Sequence, residues 1–180
     1  TGGASANVMD ASAFTGAVTL TGGAGDDCLT GGAGDDCLVG DSGGDSLIGS
    51  AGDDIVFGGA GDDVITGGTG TDKVVQSVDG DQTLTDDQLT GEGTDSLTSI
   101  EAADLTGGDA ANTLDAGLFT GSVTISGGAG ADTLTGGAGN DSLDGGADTD
   151  LIVQSVDSNQ TLSDTGLSGN GTDVLVDIET

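Results

Sequence analysis

The chain has 180 residues, of which 32 are acidic and one, Lys73, is basic, for a formal net charge of -31. That balance argues against nucleic acid or an anionic membrane surface as partner, because both are gripped through Lys and Arg. With 38 glycines, no Trp, Tyr or Pro, and only Phe14, Phe57 and Phe119 as aromatics, a conventional globular core is out of reach, and composition alone fits an acidic disordered segment equally well.

No run of 18 apolar residues is present, and no basic start followed by an apolar stretch marks a signal peptide, so export is expected to be specified elsewhere. The decision between order and disorder falls to periodicity.

In chain order, TGGASANVMDASAFTGAVTLTGG comes first, from Thr1. From Gly22 the sequence divides every nine residues into GGAGDDCLT, GGAGDDCLV, GDSGGDSLI, GSAGDDIVF, GGAGDDVIT and GGTGTDKVV, ending at Val75. The 76–95 segment breaks this register and reads as a loop or irregular rung, with a short strand expected at Gln82–Leu84. TGGDAANTLDAGLFTGSVTISGG then repeats the opening motif without a gap from Thr106, and GGAGADTLT, GGAGNDSLD and GGADTDLIV follow from Gly127 to Val153. The 154–173 segment matches 76–95, with a strand expected at Gln160–Leu162.

Between the two long matches the offset falls from 105 to 78, a loss of 27 residues or three nonapeptides. Deleting whole repeats preserves the faces of a stacked structure. The sequence is therefore read as repeat unit one at 1–105, with six nonapeptides at 22–75, and a shortened unit two at 106–180, with three at 127–153. Both are expected to belong to one continuous solenoid cut from a longer array.

Each copy begins with six turn residues, in which glycines permit backbone conformations closed to other residues. A short strand is expected over the last three. Its middle residue points inward: Leu29, Leu38, Leu47, Val56, Ile65 and Val74, then Leu134, Leu143 and Ile152. Strands stacked about 4.8 Å apart turn these residues into two facing ladders.

If nine residues make half a turn, copy n lies over copy n+2. The sixth-position aspartates then fall on two edges, Asp27, Asp45 and Asp63 on one and Asp36, Asp54 and Asp72 on the other, with Asp132, Asp141 and Asp150 in the later block. Stacked carboxylates repel unless a cation sits between successive turns. Paired Asp side chains plus carbonyls freed by glycine turns supply about six oxygens, which suits Ca²⁺ better than Mg²⁺ and better than zinc or iron. The expected metal-site residues are these nine aspartates with the first-position glycines Gly22, Gly31, Gly40, Gly49, Gly58, Gly67, Gly127 and Gly136.

These copies resemble the GGxGxDxUx nonapeptide of the calcium-binding repeats-in-toxin, or RTX, family, where U is a large apolar residue. The resemblance implies an all-β parallel β-roll or β-solenoid with irregular intervening rungs, stabilised by several Ca²⁺ ions. It also implies secretion: a chain unfolded in the low-calcium cytosol that passes a type I channel and folds outside. Asp41 and Ser50 replace the second Gly and Asp148 the fourth, which weakens sites built on those copies, the Gly145–Val153 copy most. Asn7 and Asn112 hold the place of the sixth Asp, so their rungs are expected to stack through amide hydrogen bonds.

Cys28 and Cys37 lie at outward seventh positions on opposite faces, too far apart for an intrachain disulfide. Free thiols, an intermolecular bridge, or pairing through a different rung geometry remain open. Phe14 and Phe119 read as core or capping aromatics, Lys73 as a solvated residue, and Asp26, Asp35, Asp53 and Asp62 as rim residues that solvate the roll or join an outer coordination shell. A narrow ladder of Leu offers no pocket for acid–base chemistry.

The reading is a non-enzymatic, calcium-binding structural solenoid of a secreted or cell-surface bacterial protein, a fibre, stalk or matrix element that self-associates. Its rival is a calcium-binding accessory domain of an extracellular enzyme or toxin whose active part lies outside this segment. Ice or ligand binding along a threonine face ranks below both, because the outward positions form no threonine row.

Overall fold

The computed structural model describes residues 1–153 and, beyond them, the backbone strands Thr161–Ser163, Gly166–Ser168 and Thr172–Val176. Among the described residues every regular element is a strand. In chain order these are β1 (Val8–Asp10), β2 (Thr19–Ala24), β3 (Cys28–Thr30), β4 (Cys37–Ser42), β5 (Ser46–Ala51), β6 (Ile55–Ala60), β7 (Val64–Thr69), β8 (Lys73–Ser77), β9 (Gln82–Thr85) and β10 (Gln88–Thr90). They continue as β11 (Thr94–Thr98), β12 (Ala102–Thr106), β13 (Thr113–Leu118), β14 (Ser122–Ala129), β15 (Thr133–Thr135), β16 (Ser142–Ala147), β17 (Leu151–Ile152), β18 (Thr161–Ser163), β19 (Gly166–Ser168) and β20 (Thr172–Val176).

Two compact units are interleaved along the sequence: Thr1–Gln76 with Asp87–Ala102, and Ser77–Asp86 with Ala103–Thr180. In the first, one sheet runs β1-β3-β5-β7-β11-β10 and the other β2-β4-β6-β8. Alternate nonapeptides thus occupy opposite sheets. The pairing is parallel and steps by two copies: Leu29 lies beside Leu47, Leu47 beside Ile65, and Leu38 beside Val56. The half-turn expectation holds, and the unit is a parallel β-roll.

The second unit repeats the plan with β9-β13-β15-β17 in one sheet and β12-β14-β16-β20-β19-β18 in the other. Here Leu114 lies beside Leu134, and Ile125 beside Leu143.

All the eighth-position residues from Leu29 to Leu143 are at most 1% exposed, while Ile152 is half-buried. The two aliphatic ladders are therefore the core, and at about 25 cal/mol per Å² of apolar area they are its main source of stability.

Most strands are longer than the three residues expected. β4 to β7 each run six residues, from the seventh position of one copy through the third of the next. The alternation continues across the boundary, so first-position glycines such as Gly40 and Gly58 also face inward and are buried. Second-position residues take a positive φ except at Gly32 and Gly137, and Asp41 (φ 76) and Ser50 (φ 89) adopt it without being glycine. β3 and β15 do stop after three residues.

The register-breaking segment contains β9, as expected, and then a hairpin. β10 and β11 pair antiparallel, and β11 rejoins the roll by pairing parallel with β7, Leu97 beside Ile65. In the second copy of this segment, a backbone strand spans Thr161–Ser163, while Gln160 lies outside the described residues.

Candidate metal sites

Every sixth-position aspartate of the nine copies is at most 5% exposed. Burying a carboxylate is costly unless its oxygens are satisfied, so the fate of each oxygen identifies the site.

The first oxygen, Oδ1, is used by the fold. The main-chain N–H of Asp27 donates to Asp45 Oδ1 at 2.7 Å, that of Asp36 to Asp54 at 2.8 Å, and that of Asp45 to Asp63 at 2.8 Å. Asp54 N–H donates to Asp72 at 2.8 Å, and Asp132 N–H to Asp150 at 2.9 Å. At the irregular rungs the donors are Asn7 to Asp27, Val18 to Asp36, Asn112 to Asp132 and Val123 to Asp141. Each carboxylate thus laces its turn to the preceding one on the same edge. A buried N–H must find an acceptor, and these oxygens are the acceptors.

The second oxygen divides the copies into two kinds. In Asp27, Asp45, Asp54, Asp63, Asp72, Asp132 and Asp150, Oδ2 is buried and accepts no hydrogen bond. In Asp36 and Asp141, Oδ2 instead accepts the N–H of the second glycine of its own copy, Gly32 at 2.6 Å and Gly137 at 2.9 Å. Neither glycine has a positive φ. Both copies lie against the irregular rungs, where Ala33 N–H donates to the Phe14 carbonyl and Ala138 N–H to that of Phe119.

The unsatisfied oxygens face first-position glycines and further carbonyl oxygens. A methyl group on Gly49 would meet Asp54 Oδ2 and lie 2.6 Å from the Gly67 carbonyl; on Gly22 it would meet Asp27 Oδ2 and lie 2.9 Å from the Gly40 carbonyl. A methyl group on Gly31 or Gly127 would likewise lie 2.5 Å from the carbonyl of Gly49 or Gly145, and one on Gly40 against that of Gly58. At Gly67 the carbonyl comes from Ser99, outside the repeats. Around Gly58 and Gly136 the nearest atoms include the copy's own Asp63 or Asp141 Oδ2 and no carbonyl.

This donor set is all oxygen: one carboxylate and main-chain carbonyls in a recess that glycine alone leaves open. The chain has no His and its two Cys lie in different sheets, so nitrogen and sulfur donors for a soft metal do not come together. A hard cation that accepts carbonyls and flexible coordination fits.

Electrostatics agree. Burial raises the pKa values of Asp45, Asp54, Asp72 and Asp132, opposed by the backbone hydrogen bond each accepts and reinforced by neighbouring carboxylates. Asp63 is pushed up to about 7 by burial, aided by the charges of Asp95, Asp45 and Asp62. Without a counter-charge, burial favours the protonated form of these groups.

The structure adds ladder members that the nonapeptide register omits. Asp95 Oδ1 accepts from Asp63 N–H at 3.0 Å, and burial raises its pKa to about 6. Glu101 Oε2 accepts from Asp72 N–H at 3.0 Å. Asp95 has a sequence signal: TGEGTDSLT, 90–98, is a degenerate copy that keeps Gly at positions two and four, Asp at six and Leu at eight. It was displaced from view by the 14 extra residues of the irregular segment. Glu101 has no such signal.

The fifth-position acids do more than solvate the rim. Asp26, Asp35, Asp53 and Asp62 accept N–H groups from the following turn, those of Gly44, Asp53, Thr71 and Thr94. Asn7 and Asn112 do not stack amide to amide: each Oδ1 accepts from its own turn, from Gly3 at 2.7 Å and Gly108 at 3.1 Å. Cys28 and Cys37 are free and lie in different sheets.

A parallel roll whose glycine turns wall buried carboxylate oxygens with carbonyls is a calcium-binding repeat module. The chain belongs to the RTX calcium-binding nonapeptide repeat family, whose four-copy model matches residues 1–38, 39–74 and 124–152, more than half of its length. Repeats of this family bind Ca²⁺ and occur in secreted bacterial proteins. No curated protein sequence matches the chain. Among solved structures it is similar to the extracellular lipase LipA from Serratia marcescens, at 16% identity and a TM-score of 0.39, over 86% of this chain and 38% of the lipase chain.

Proposed function

We propose that the chain is a non-enzymatic, calcium-stabilised structural β-solenoid of a secreted or cell-surface bacterial protein, serving as a fibre, stalk or matrix element. The observation that carries this reading is the set of seven buried sixth-position aspartate Oδ2 atoms with no hydrogen-bond partner. A net charge of -31 supported by thin aliphatic ladders favours the unfolded chain until divalent ions bind. Folding is then coupled to calcium, and a low-calcium compartment keeps the chain unfolded.

In this reading the nine sixth-position aspartates and the first-position glycines hold the ions. Asp36 and Asp141 contribute least, since both their oxygens already accept N–H groups. Calcium supplies the positive charge. The chain supplies the oxygens, the recess and the dry interior.

Circular dichroism of the purified chain with and without millimolar calcium tests the proposal. Strand signal appears on adding calcium and disappears on chelation; a spectrum that stays strand-rich through chelation overturns it. Electron microscopy under both conditions tests the fibre role. Cys28 is exposed and offers a thiol for an intermolecular bridge, which non-reducing electrophoresis of Cys28→Ser and Cys37→Ser variants reads directly.

A further inference from the structure

The first block of nonapeptides ends at Val75, and after the hairpin the chain returns to the same roll, β11 pairing parallel with β7. The residues that follow β11 close over the turn of the sixth copy. Glu101 N–H and Ala102 N–H both donate to the Asp72 carbonyl at 3.0 Å, and Glu101 Oε2 accepts the Asp72 N–H at 3.0 Å. All of these residues lie within the first compact unit.

On the repeat side the recess is complete. Asp72 is fully buried, its Oδ2 accepts no hydrogen bond, and a methyl group on Gly67 would lie 2.5 Å from that oxygen and against the Ser99 carbonyl. On the other side the design changes. Four residues lie between the first-position glycine and the aspartate of a copy, as between Gly67 and Asp72, but only Ile100 lies between Ser99 and Glu101. The glycine turn is missing there. In its place Ser99 takes a left-handed φ of 54, and the acid has a side chain one methylene longer. A non-glycine residue keeps such a conformation where its surroundings hold it.

The second carboxylate is also close in charge. Burial raises the pKa of Asp72, and among neighbouring charges that of Glu101 adds most. Two acids and a carbonyl thus meet beside a buried oxygen that has no partner, an arrangement that is costly without a cation.

We propose that Asp72, Ser99 and Glu101 form a separate Ca²⁺ site, whose ion fastens the returning segment to the nonapeptide block. Asp72 supplies Oδ2, Ser99 its carbonyl and Glu101 its carboxylate. Ser99 and Glu101 are exposed, so water completes the coordination on the open side, as Ca²⁺ allows. Neither residue lies in the nonapeptides or in the stretches that the repeat family's model matches. The inference rests on the calcium reading above and adds a site that joins repeat to non-repeat chain.

Equilibrium dialysis of the whole 180-residue chain against calcium counts its ions. Glu101→Gln keeps an oxygen for the Asp72 N–H and removes the charge; it should bind one ion fewer than the parent, or bind one about tenfold or more weakly. Gly67→Ala, which fills the recess with Glu101 in place, should lose the same ion, and the double variant should lose no other. Glu92→Gln removes an equal charge from an exposed position just before β11 and should bind as the parent does. In hydrogen exchange at saturating calcium, the main-chain N–H groups of residues 101 and 102 should exchange about tenfold or more faster in Glu101→Gln, while those of β4 to β6 keep their protection.

An ion count and affinity unchanged in Glu101→Gln, unchanged exchange at residues 101 and 102, or an equal loss in Glu92→Gln overturns the proposal. So does a Glu101→Gln chain that no longer folds in millimolar calcium, since losing one ion should leave the other recesses filled. A parent that folds with calcium beside an undiminished Glu101→Gln rejects this site alone, whereas a parent that binds no calcium rejects the wider reading.

Discussion

The main-chain N–H of Asp27 donates to Oδ1 of Asp45 at 2.7 Å, while the other oxygen of Asp45 is buried and accepts nothing. One carboxylate thus serves two purposes, tying two turns together and leaving an anionic oxygen for a cation. Substituting it should separate them. Asp45→Ala removes the acceptor of a buried N–H as well as the charge, and should cost about 1–3 kcal/mol more than Asp45→Asn in calcium. Asp45→Asn keeps an acceptor and loses the charge. A calcium titration of Asp45→Asn followed by calorimetry should lose one ion or its affinity.

Asp36 provides the contrast. Its second oxygen already accepts from Gly32 N–H at 2.6 Å, and Asn7 shows an amide making the equivalent bond at 2.7 Å. Asp36→Asn should therefore change the calcium-dependent melting temperature less than Asp54→Asn does. Equal losses would show that the Gly32 bond opens on metal binding.

Glycine at the first position is set by space. A Cβ on Gly49 would lie against Asp54 Oδ2 and 2.6 Å from the Gly67 carbonyl, inside the oxygen recess. Gly49→Ala should raise the calcium midpoint of folding, whereas alanine at Gly80, where no atom lies within 4 Å, should leave it unchanged. Both are read from titrations followed by circular dichroism.

Acidity should act oppositely with and without metal. Asp63 and Asp95 have pKa values raised from 3.8 to about 7 and about 6, burial being the largest cause. The folded chain binds these protons more tightly than the unfolded chain. In chelator the stabilisation is fully present below pH 3.8 and is lost as pH rises through 6 and then 7. Strand signal in chelator, read by circular dichroism, should therefore be greatest at acid pH and fall over that window. Calcium competes with the same protons, so its affinity should weaken as pH drops from 7 toward 6.

Ser50 has a φ of 89 where other copies place glycines such as Gly59 at 100 and Gly68 at 124. A left-handed conformation costs a non-glycine residue about 1–2 kcal/mol, offset in part by the greater entropy that glycine loses on folding, about 0.5–1 kcal/mol. Ser50→Gly should stabilise the calcium-bound chain by up to about 1 kcal/mol, measured as a rise in its unfolding midpoint in urea.

Much of this protein is legible in sequence because its physics repeats. Asp at the sixth position and an aliphatic at the eighth specify which residues stack, and the spacing of the two long sequence matches differs by 27 residues, three nonapeptides. Asp95 was legible in principle, in a copy shifted by 14 residues, but recognising it depends on knowing that the β10–β11 hairpin loops out and returns β11 to β7. Glu101 was not legible, because its role depends only on meeting Asp72 N–H across the turn.

The sequence by itself determined the nine-residue period, the positions of the aliphatic and acidic ladders, the all-oxygen chemistry and the preference for calcium, since each follows from residue type at a fixed spacing. Only the tertiary structure decided how the carboxylate oxygens are shared: one is taken by a backbone N–H of the preceding turn, and the other is left bare at Asp45 but satisfied at Asp36. That distinction depends on which rung lies alongside, and the local motif cannot encode a neighbour brought there by distant parts of the chain.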